Sequence, residues 1–298
     1  MRSFARSAAR GFTAEPVVLP RPHLDLSGPR LKTALETLVA GSEAHGGIER
    51  YVAAVKLKQE LFRQALADHA ALQLETFKGL CAFMASVRRR VGPYLEEDRF
   101  PMVREAVAEL LGAADDATAA DAALAAFCAR FPTDKSHRWV RDLAAEILHN
   151  TYPERFPLMC RWVWDRQANT GVLREIWFGD NVDHVTIDVA SDYPTYLMLR
   201  EELSQFLTDN GVFSDVLVYV DLMCAQVYAD YICAQGGSYL RADFSSPDDP
   251  MEHARRLLGL DGVRAGSGRT RLKAINGEAF VIEDDQPLLG RIDNDADS

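Results

Sequence analysis

The chain has 298 residues, of which 48% are hydrophobic and 26% are charged. These are ordinary values for a folded globular protein, and they exclude wholesale disorder. The formal net charge of −11 disfavours binding to the phosphate backbone of nucleic acids, unless a local basic patch overrides it.

The most apolar stretch, residues 212–234, is interrupted by Asp215, Asp221, Gln226 and Asp230. It falls short of the roughly 18 continuous apolar residues that indicate a transmembrane helix. The five cysteines include no C-x-x-C pair, which favours reduced, packed thiols in a cytosol. We therefore predict a cytoplasmic protein that does not cross a membrane.

Residues 1–28 are predicted to form a basic, proline-containing N-terminal lead-in. The first part of it carries Arg2, Arg6 and Arg10 and no acidic residue before Glu15. This composition is typical of an organellar transit peptide and equally of a frayed bacterial N-terminus. The organellar matrix is therefore the alternative location.

Residues 29–131 are predicted to form an N-terminal helical region. Apolar residues recur at helical spacing through residues 47–91, which predicts two long helices there, with further helices on either side. The run Arg88-Arg89-Arg90 precedes Val91-Gly92-Pro93, and we interpret it as solvated charge at the C-terminus of a helix.

Residues 132–260 are predicted to form a second helical region with one strand. Apolar spacing predicts a helix that ends near His149, and residues 213–234 are predicted to be the most buried helix of the fold. Between these helices, the alternation of residues 183–189 predicts one half-buried strand.

Residues 261–283 are predicted to form a loop and a β-hairpin, because Asn276-Gly277 suits a type I′ turn between two short strands. Residues 284–298 are predicted to be a solvated acidic tail. The predicted fold class is therefore mainly α, a multi-helix globular bundle with a short strand or hairpin element towards the C-terminus.

Sequence templates for catalysis and metal binding are not met. The glycine-dense residues 262–270 lack the spacing and the lysine of a phosphate-binding loop, and no serine has the flanking glycines of a nucleophile elbow. No two of the seven histidines are four residues apart, the spacing that places two ligands on one helical face. We predict no catalytic residue, no metal site and no cofactor.

Residues 152–165 differ in character from the rest of the chain, because they combine two prolines with four aromatic residues. One interpretation is core packing around a proline-shaped helix junction, with Phe156 and Trp162 inside. The other is a recognition surface, since tryptophan and arginine are enriched at binding hot spots. On a helix after Pro157, Trp162 would face the core and its neighbours would face outward. The predicted partner-binding residues are Arg155, Arg161, Trp164, Asp165 and Arg166.

The sequence from Leu148-His149 to Pro157-Leu158, followed by a tryptophan-containing segment, resembles the middle of helical domains in the helix-hairpin-helix DNA glycosylase class and in some restriction-associated proteins. The resemblance covers about a tenth of the chain. It implies a nucleic-acid-associated helical domain, and in that class a glycine-rich hairpin accompanies a catalytic aspartate, often with a lysine. Asp221 is the only loosely comparable acid, and the hairpin is not recognisable in this sequence.

Two functions follow as hypotheses. The first is a non-enzymatic helical protein that binds a macromolecular partner, most simply another protein, as a regulator, adaptor or assembly factor. The alternative is the nucleic-acid-associated helical domain, which the net charge disfavours. The alternative requires that six arginines converge on one concave positive face: Arg88, Arg89, Arg90, Arg155, Arg161 and Arg166.

Overall fold

The computed structural model describes residues 23–43, 46–179, 185–234, 251–260, 270–272 and 280–282. The predicted lead-in up to residue 22 and the acidic tail of residues 284–298 lie outside this part of the chain.

The described residues form a mainly helical protein, as the sequence predicts. The helices, in chain order, are α1 (Gly28–Glu43), α2 (Ile48–Leu66), α3 (Leu74–Ala82), α4 (Phe100–Gly112), α5 (Ala120–Ala129), α6 (Trp139–Thr151), α7 (Val172–Glu175), α8 (Tyr193–Asp209), α9 (Val216–Ala234) and α10 (Glu252–Leu257).

Local sequence signals place several of these helix starts. Asp192 caps α8, because its side chain accepts a hydrogen bond from the backbone N–H of Thr195, and Pro194 occupies the first turn, where no N–H is needed. Asp134 and Asp116 cap the short 3-10 turns that lead into α6 and α5 in the same way. The boundaries of α5, α6 and α8 therefore have causes that can be read in the sequence.

The core is built around α6 and α9. Helix α9 packs against α1, α2, α8 and α10, and α6 packs against α2 and α5. Twelve residues of each of these two helices are buried, so neither has a solvent face of the usual width. Burial on all sides explains why both helices also carry buried polar residues, which need partners inside the protein.

By length and composition alone, helix α9 is long and apolar enough to cross a membrane. Two thirds of its most apolar 18-residue stretch is buried within the fold. Burial of this kind is expected of the core helix of a soluble protein. The structure thus confirms a central buried helix, but it begins at Val216, and Leu217 is only half-buried.

The helical body contains no sheet in the described residues, and the predicted β elements are not confirmed. Towards the C-terminus, two three-residue segments, β1 (Thr270–Leu272) and β2 (Phe280–Ile282), pair antiparallel. The predicted Asn276-Gly277 turn between them lies outside the described residues, so the hairpin itself stays a prediction.

The predicted strand at residues 183–189 is wrong for its described part. Residues 185–190 have no strand partner; instead, the side-chain amide of Asn169 donates to the carbonyl oxygen of Val185, and its oxygen accepts from the backbone N–H of Ile187. A single side chain therefore satisfies two of the backbone groups that a neighbouring strand would otherwise satisfy.

The expected helix after Pro157 is also wrong. Residues 158–171 form a chain of turns with an isolated bridge between Asp165 and Thr170. Helical spacing does not apply there, so the predicted orientations of the two tryptophans are wrong. Trp164, predicted to face outward, is 0% exposed, and Trp162, predicted to face the core, is half-buried. Trp164 donates its indole N–H to the carbonyl oxygen of Val189, which satisfies its one polar group.

All five cysteines are free thiols. Three of them, Cys81, Cys160 and Cys224, are buried, and burial raises the pKa of each thiol. Cys233, which was expected to pack in the same way, is exposed near the end of α9.

Candidate functional site

A group of buried ionisable residues lies where α2, α6 and α9 meet beneath α10. Lys58 on α2 donates from Nζ to Oε2 of Glu146 at 3.1 Å and to the carbonyl oxygen of Leu258 at 2.9 Å. Both side chains are almost fully buried. The space between them and their neighbours is only about 10 Å³, which is room for about one water molecule and not for a substrate.

His149 and Asp221 form the second pair of this group. Nε2 of His149 lies 2.9 Å from Oδ2 of Asp221, and Nδ1 lies 2.9 Å from the carbonyl oxygen of Phe156. A carbonyl oxygen only accepts, so Nδ1 carries a proton, and the Nε2 contact with Asp221 holds a second proton between the ring and the carboxyl group. Burial lowers the pKa of His149, but the charge and hydrogen bond of Asp221 and the bond to Phe156 outweigh burial, and the net shift is upward.

Asp142 on α6 anchors the turn after Cys160. It is 2% exposed and accepts from the backbone N–H of Arg161 at 2.9 Å and from the Arg161 guanidinium at 2.8 to 3.3 Å. The two-pronged contact matches the planar geometry of both groups. It fixes Arg161 in one orientation at the edge of an open cavity.

That cavity has a volume of about 380 Å³. We call it the arginine cavity, because three arginines, Arg138, Arg141 and Arg161, form part of its wall. The other lining residues are Cys128, Pro132, Thr133, Asp134, His137, Val140, Trp164, Asp165, Gln167 and Ser191. The volume falls within the range of small-ligand pockets.

Arg141 is the arginine of the cavity without a carboxylate partner among the described residues. Its guanidinium donates to the carbonyl oxygens of Met159 and Ser191 and lies 5.7 Å from the ring centre of Tyr196. Burial lowers the pKa of Arg141, but Tyr196 and the nearby Asp142 more than offset it, and the net shift is upward. The cavity wall therefore holds an arginine whose guanidinium is hydrogen-bonded to carbonyl oxygens and not to a carboxylate of the described residues.

The remaining charges of the cavity are paired. Arg138 donates to Oδ2 of Asp165 at 2.7 Å, and Arg161 binds Asp142. At the rim, Asp134 contacts Nδ1 of His137, and Nε2 of His137 lies 2.9 Å from the hydroxyl of Tyr94. Hydrogen bonds from Ser136 and His137 lower the pKa of Asp134 to about 2, so this rim carboxylate is ionised at neutral pH.

The structure brings three of the five predicted partner-binding residues to this cavity and leaves two elsewhere. Arg161, Trp164 and Asp165 line it, although Trp164 contributes as a fully buried wall and not as an exposed contact. Arg155 donates to the carbonyl oxygen of Ala114 and pairs with Asp115. Arg166 pairs with the exposed Asp188.

Sequence reasoning missed Arg138, Arg141 and His137. Arg138 and Arg141 are three residues apart at the start of α6, a spacing that places them on one helical face. That spacing was the only feature of the sequence that indicated a shared position for these two arginines. Their approach to Arg161 depends on the Asp142 contact, which joins residues 19 positions apart.

The six arginines that the nucleic-acid hypothesis requires do not converge in the described structure. Arg88 is buried and contacts the carbonyl oxygen of Ala82, whereas Arg89 and Arg90 are exposed. Arg155 and Arg166 each face a different carboxylate. Arg161 alone among the six lines the arginine cavity.

Among the described residues, no group of three or more histidine, cysteine or acidic side chains is arranged to hold a metal ion. We found no protein-family model, no curated protein and no solved structure that matches this chain.

Proposed function

We propose that this chain is a non-enzymatic helical protein that binds a protein partner, in the manner of a regulator, adaptor or assembly factor, and that the arginine cavity receives one group of that partner. The observation that carries the proposal is the convergence of Arg138, Arg141 and Arg161 on one open cavity, where Arg141 donates to carbonyl oxygens and to no carboxylate of the described residues. Arginine and tryptophan are the residue types that most often dominate the free energy of protein association.

Two further features support a binding role. The rim residues Pro132, Thr133 and Gln167 are exposed, so the mouth of the cavity is accessible to another molecule. The second charged group, around Lys58 and His149, is enclosed beneath α10 with almost no free space. Of the two, the arginine cavity is therefore the one that a partner can enter.

The test is co-purification from the native host with tagged full-length protein, followed by mass spectrometry. Gln167→Glu adds a negative charge at the exposed rim without removing any described hydrogen bond, so we expect it to reduce capture of the partner at least tenfold. Gln73→Glu is the matched control, because Gln73 is exposed and does not line the cavity. Equal capture by both variants contradicts the proposal.

Nuclease treatment of the extract separates the two function hypotheses. A protein partner remains bound after RNA and DNA are digested. Loss of the captured material on digestion, with no protein left in stoichiometric amount, contradicts the protein-partner proposal and favours the nucleic-acid alternative.

A further inference from the structure

We propose that the arginine cavity takes a single carboxylate carried on an apolar stem. Such a group occurs as an acidic side chain or chain terminus of a protein and as a small organic acid. The inference deepens the proposed function, and it rests on the arginine cavity being the binding site.

The hydrogen bonds of the cavity wall leave donors for an incoming oxygen. Arg161 uses Nε and Nη2 on Asp142, and Arg138 uses Nη2 on Asp165. Nη1 of Arg161 and both Nη1 and Nε of Arg138 have no hydrogen-bond partner among the described residues. Guanidinium N–H groups of this kind bind carboxylates with short, charge-assisted hydrogen bonds. Because Asp142 and Asp165 already hold the two side chains, little conformational entropy is lost on binding.

The carboxylates beside the cavity favour a monoanion over a dianion. Asp142 and Asp165 are each paired with one arginine, and Asp134 lies at the rim beside His137. Arg141 donates to two carbonyl oxygens and to no carboxylate of the described residues, so its guanidinium attracts an incoming carboxylate. A phosphate dianion would place a second negative charge near Asp134 and Asp165, and like-charge repulsion would weaken its binding.

The apolar residues that line the cavity indicate that the ligand carries an apolar stem. Pro132 and Cys128 line the cavity in front of the buried Val140 and Trp164, and the accessible parts offer an apolar surface to a few methylene or methyl groups. A ligand that buries apolar area beside a charged end gains from both contacts. The cavity of about 380 Å³ has room for such a stem as well as for its carboxylate.

The experiment uses three probes against the full chain: N-acetyl-leucine, its neutral amide N-acetyl-leucinamide, and inorganic phosphate. Binding is followed by heteronuclear NMR titration and by calorimetry. We expect N-acetyl-leucine to bind with saturable, millimolar affinity and to shift the resonances of Trp164 and Ser191. The amide should bind at least tenfold more weakly, because it lacks the charge. An equal affinity for the amide, a higher affinity for phosphate, or shifts confined to other parts of the protein overturn the proposal.

Variants locate the site independently of the probe. Arg138→Gln and Gln167→Glu should each weaken binding of N-acetyl-leucine about tenfold, whereas Gln73→Glu should leave it unchanged. Gln167 has no described hydrogen bond, so that variant serves even if Arg138→Gln alters stability. Unchanged binding to a folded Gln167→Glu protein overturns the proposal.

A further experiment distinguishes a carboxylate of a protein from that of a small organic acid. A five-residue peptide with a free C-terminal leucine that binds more tightly than N-acetyl-leucine supports a protein ligand. Equal affinities support carboxylate recognition of a small acid and argue against the protein partner. If no probe binds while partner capture still depends on Gln167, the carboxylate inference fails and the proposed function stands.

Discussion

At the scale of single residues, Arg161 serves the fold and the cavity together. Its partner Asp142 is 2% exposed and accepts four hydrogen bonds from the backbone and side chain of Arg161. Charge reversal of Arg161 would leave two carboxylates at one buried place. A change at this position therefore alters stability as well as binding, so residues at the cavity rim are better positions for testing binding.

The first prediction concerns this pair. Arg161→Glu should lower the free energy of unfolding by about 3 to 5 kcal/mol, the usual cost of leaving a buried charge without its partner. Arg166→Glu is the control, because its partner Asp188 is 84% exposed, and a surface pair contributes about 0 to 1 kcal/mol. Urea unfolding of both variants measures the difference. Similar losses for the two would show that the Asp142 contact adds no more than a surface pair.

The second prediction concerns the His149 and Asp221 pair. The pKa of His149 is raised in the folded state, so its stabilising contribution is fully present below the unfolded pKa of about 6.5 and is lost as pH rises through the folded pKa. The free-energy difference between the wild type and His149→Gln should therefore shrink from pH 6 towards pH 9.

His23→Gln is the control for this pH series, since His23 is exposed and its replacement should shift stability little at any pH. Chemical unfolding at each pH gives both differences. A difference for His149→Gln that grows with pH would contradict the protonated ion pair and would indicate a neutral ring.

At the scale of elements, local patterns were predictable and their contacts were not. Apolar spacing predicted α2, α6 and α9 because a helix repeats every 3.6 residues, and this period is written in the sequence. The orientation of Trp162 and Trp164 was wrong because residues 158–171 are held by Asp142, Thr170 and Val189, contacts that no local period encodes. For the same reason, Arg161, Trp164 and Asp165 were among the predicted partner-binding residues, but their meeting with Arg138 and Arg141 was not predicted.

The third prediction concerns the docking of α10. Gly259 follows this helix with φ of +73°, and a Cβ atom there would overlap the carbonyl oxygen of Phe83. Gly259→Ala should therefore loosen α10 and expose the Lys58 group. Limited proteolysis should cut between residues 251 and 260 much faster than in the wild type. Gly211→Ala is the control, because Gly211 also has positive φ but has open space around it, so only about 1 kcal/mol of strain is expected. Equal protease resistance of the two variants would contradict a tight Gly259 contact.

The fourth prediction concerns the burial of α9. Leu222 is fully buried, whereas Leu217 on the same helix is half-buried. Leu222→Ala should cost about 2 to 5 kcal/mol, the range for cavity-forming truncations, and Leu217→Ala should cost clearly less. Denaturant unfolding compares the two. A greater loss for Leu217 would mean that α9 is rotated relative to the structure described.

At the scale of the whole molecule, the predicted regions 29–131 and 132–260 pack against each other. Helices α1 and α2 from the first contact α6 and α9 from the second, and Lys58 on α2 is bound to Glu146 on α6. Buried residues of both regions belong to one contiguous hydrophobic cluster from Leu24 to Leu260. Because the described core is shared, we expect the two regions to unfold together.

The last prediction is that the helical body unfolds in one cooperative transition. The four tryptophans all lie between Trp139 and Trp177, so tryptophan fluorescence reports on the second region, while far-ultraviolet circular dichroism reports on every helix. The two urea curves should coincide because the shared core couples the regions. Phe62→Ala on α2, where Phe62 is fully buried, should lower the midpoint of both curves equally, although no tryptophan lies in its region. A lowered dichroism midpoint with an unchanged fluorescence midpoint would instead show that the boundary near residue 131 separates two independently folding domains.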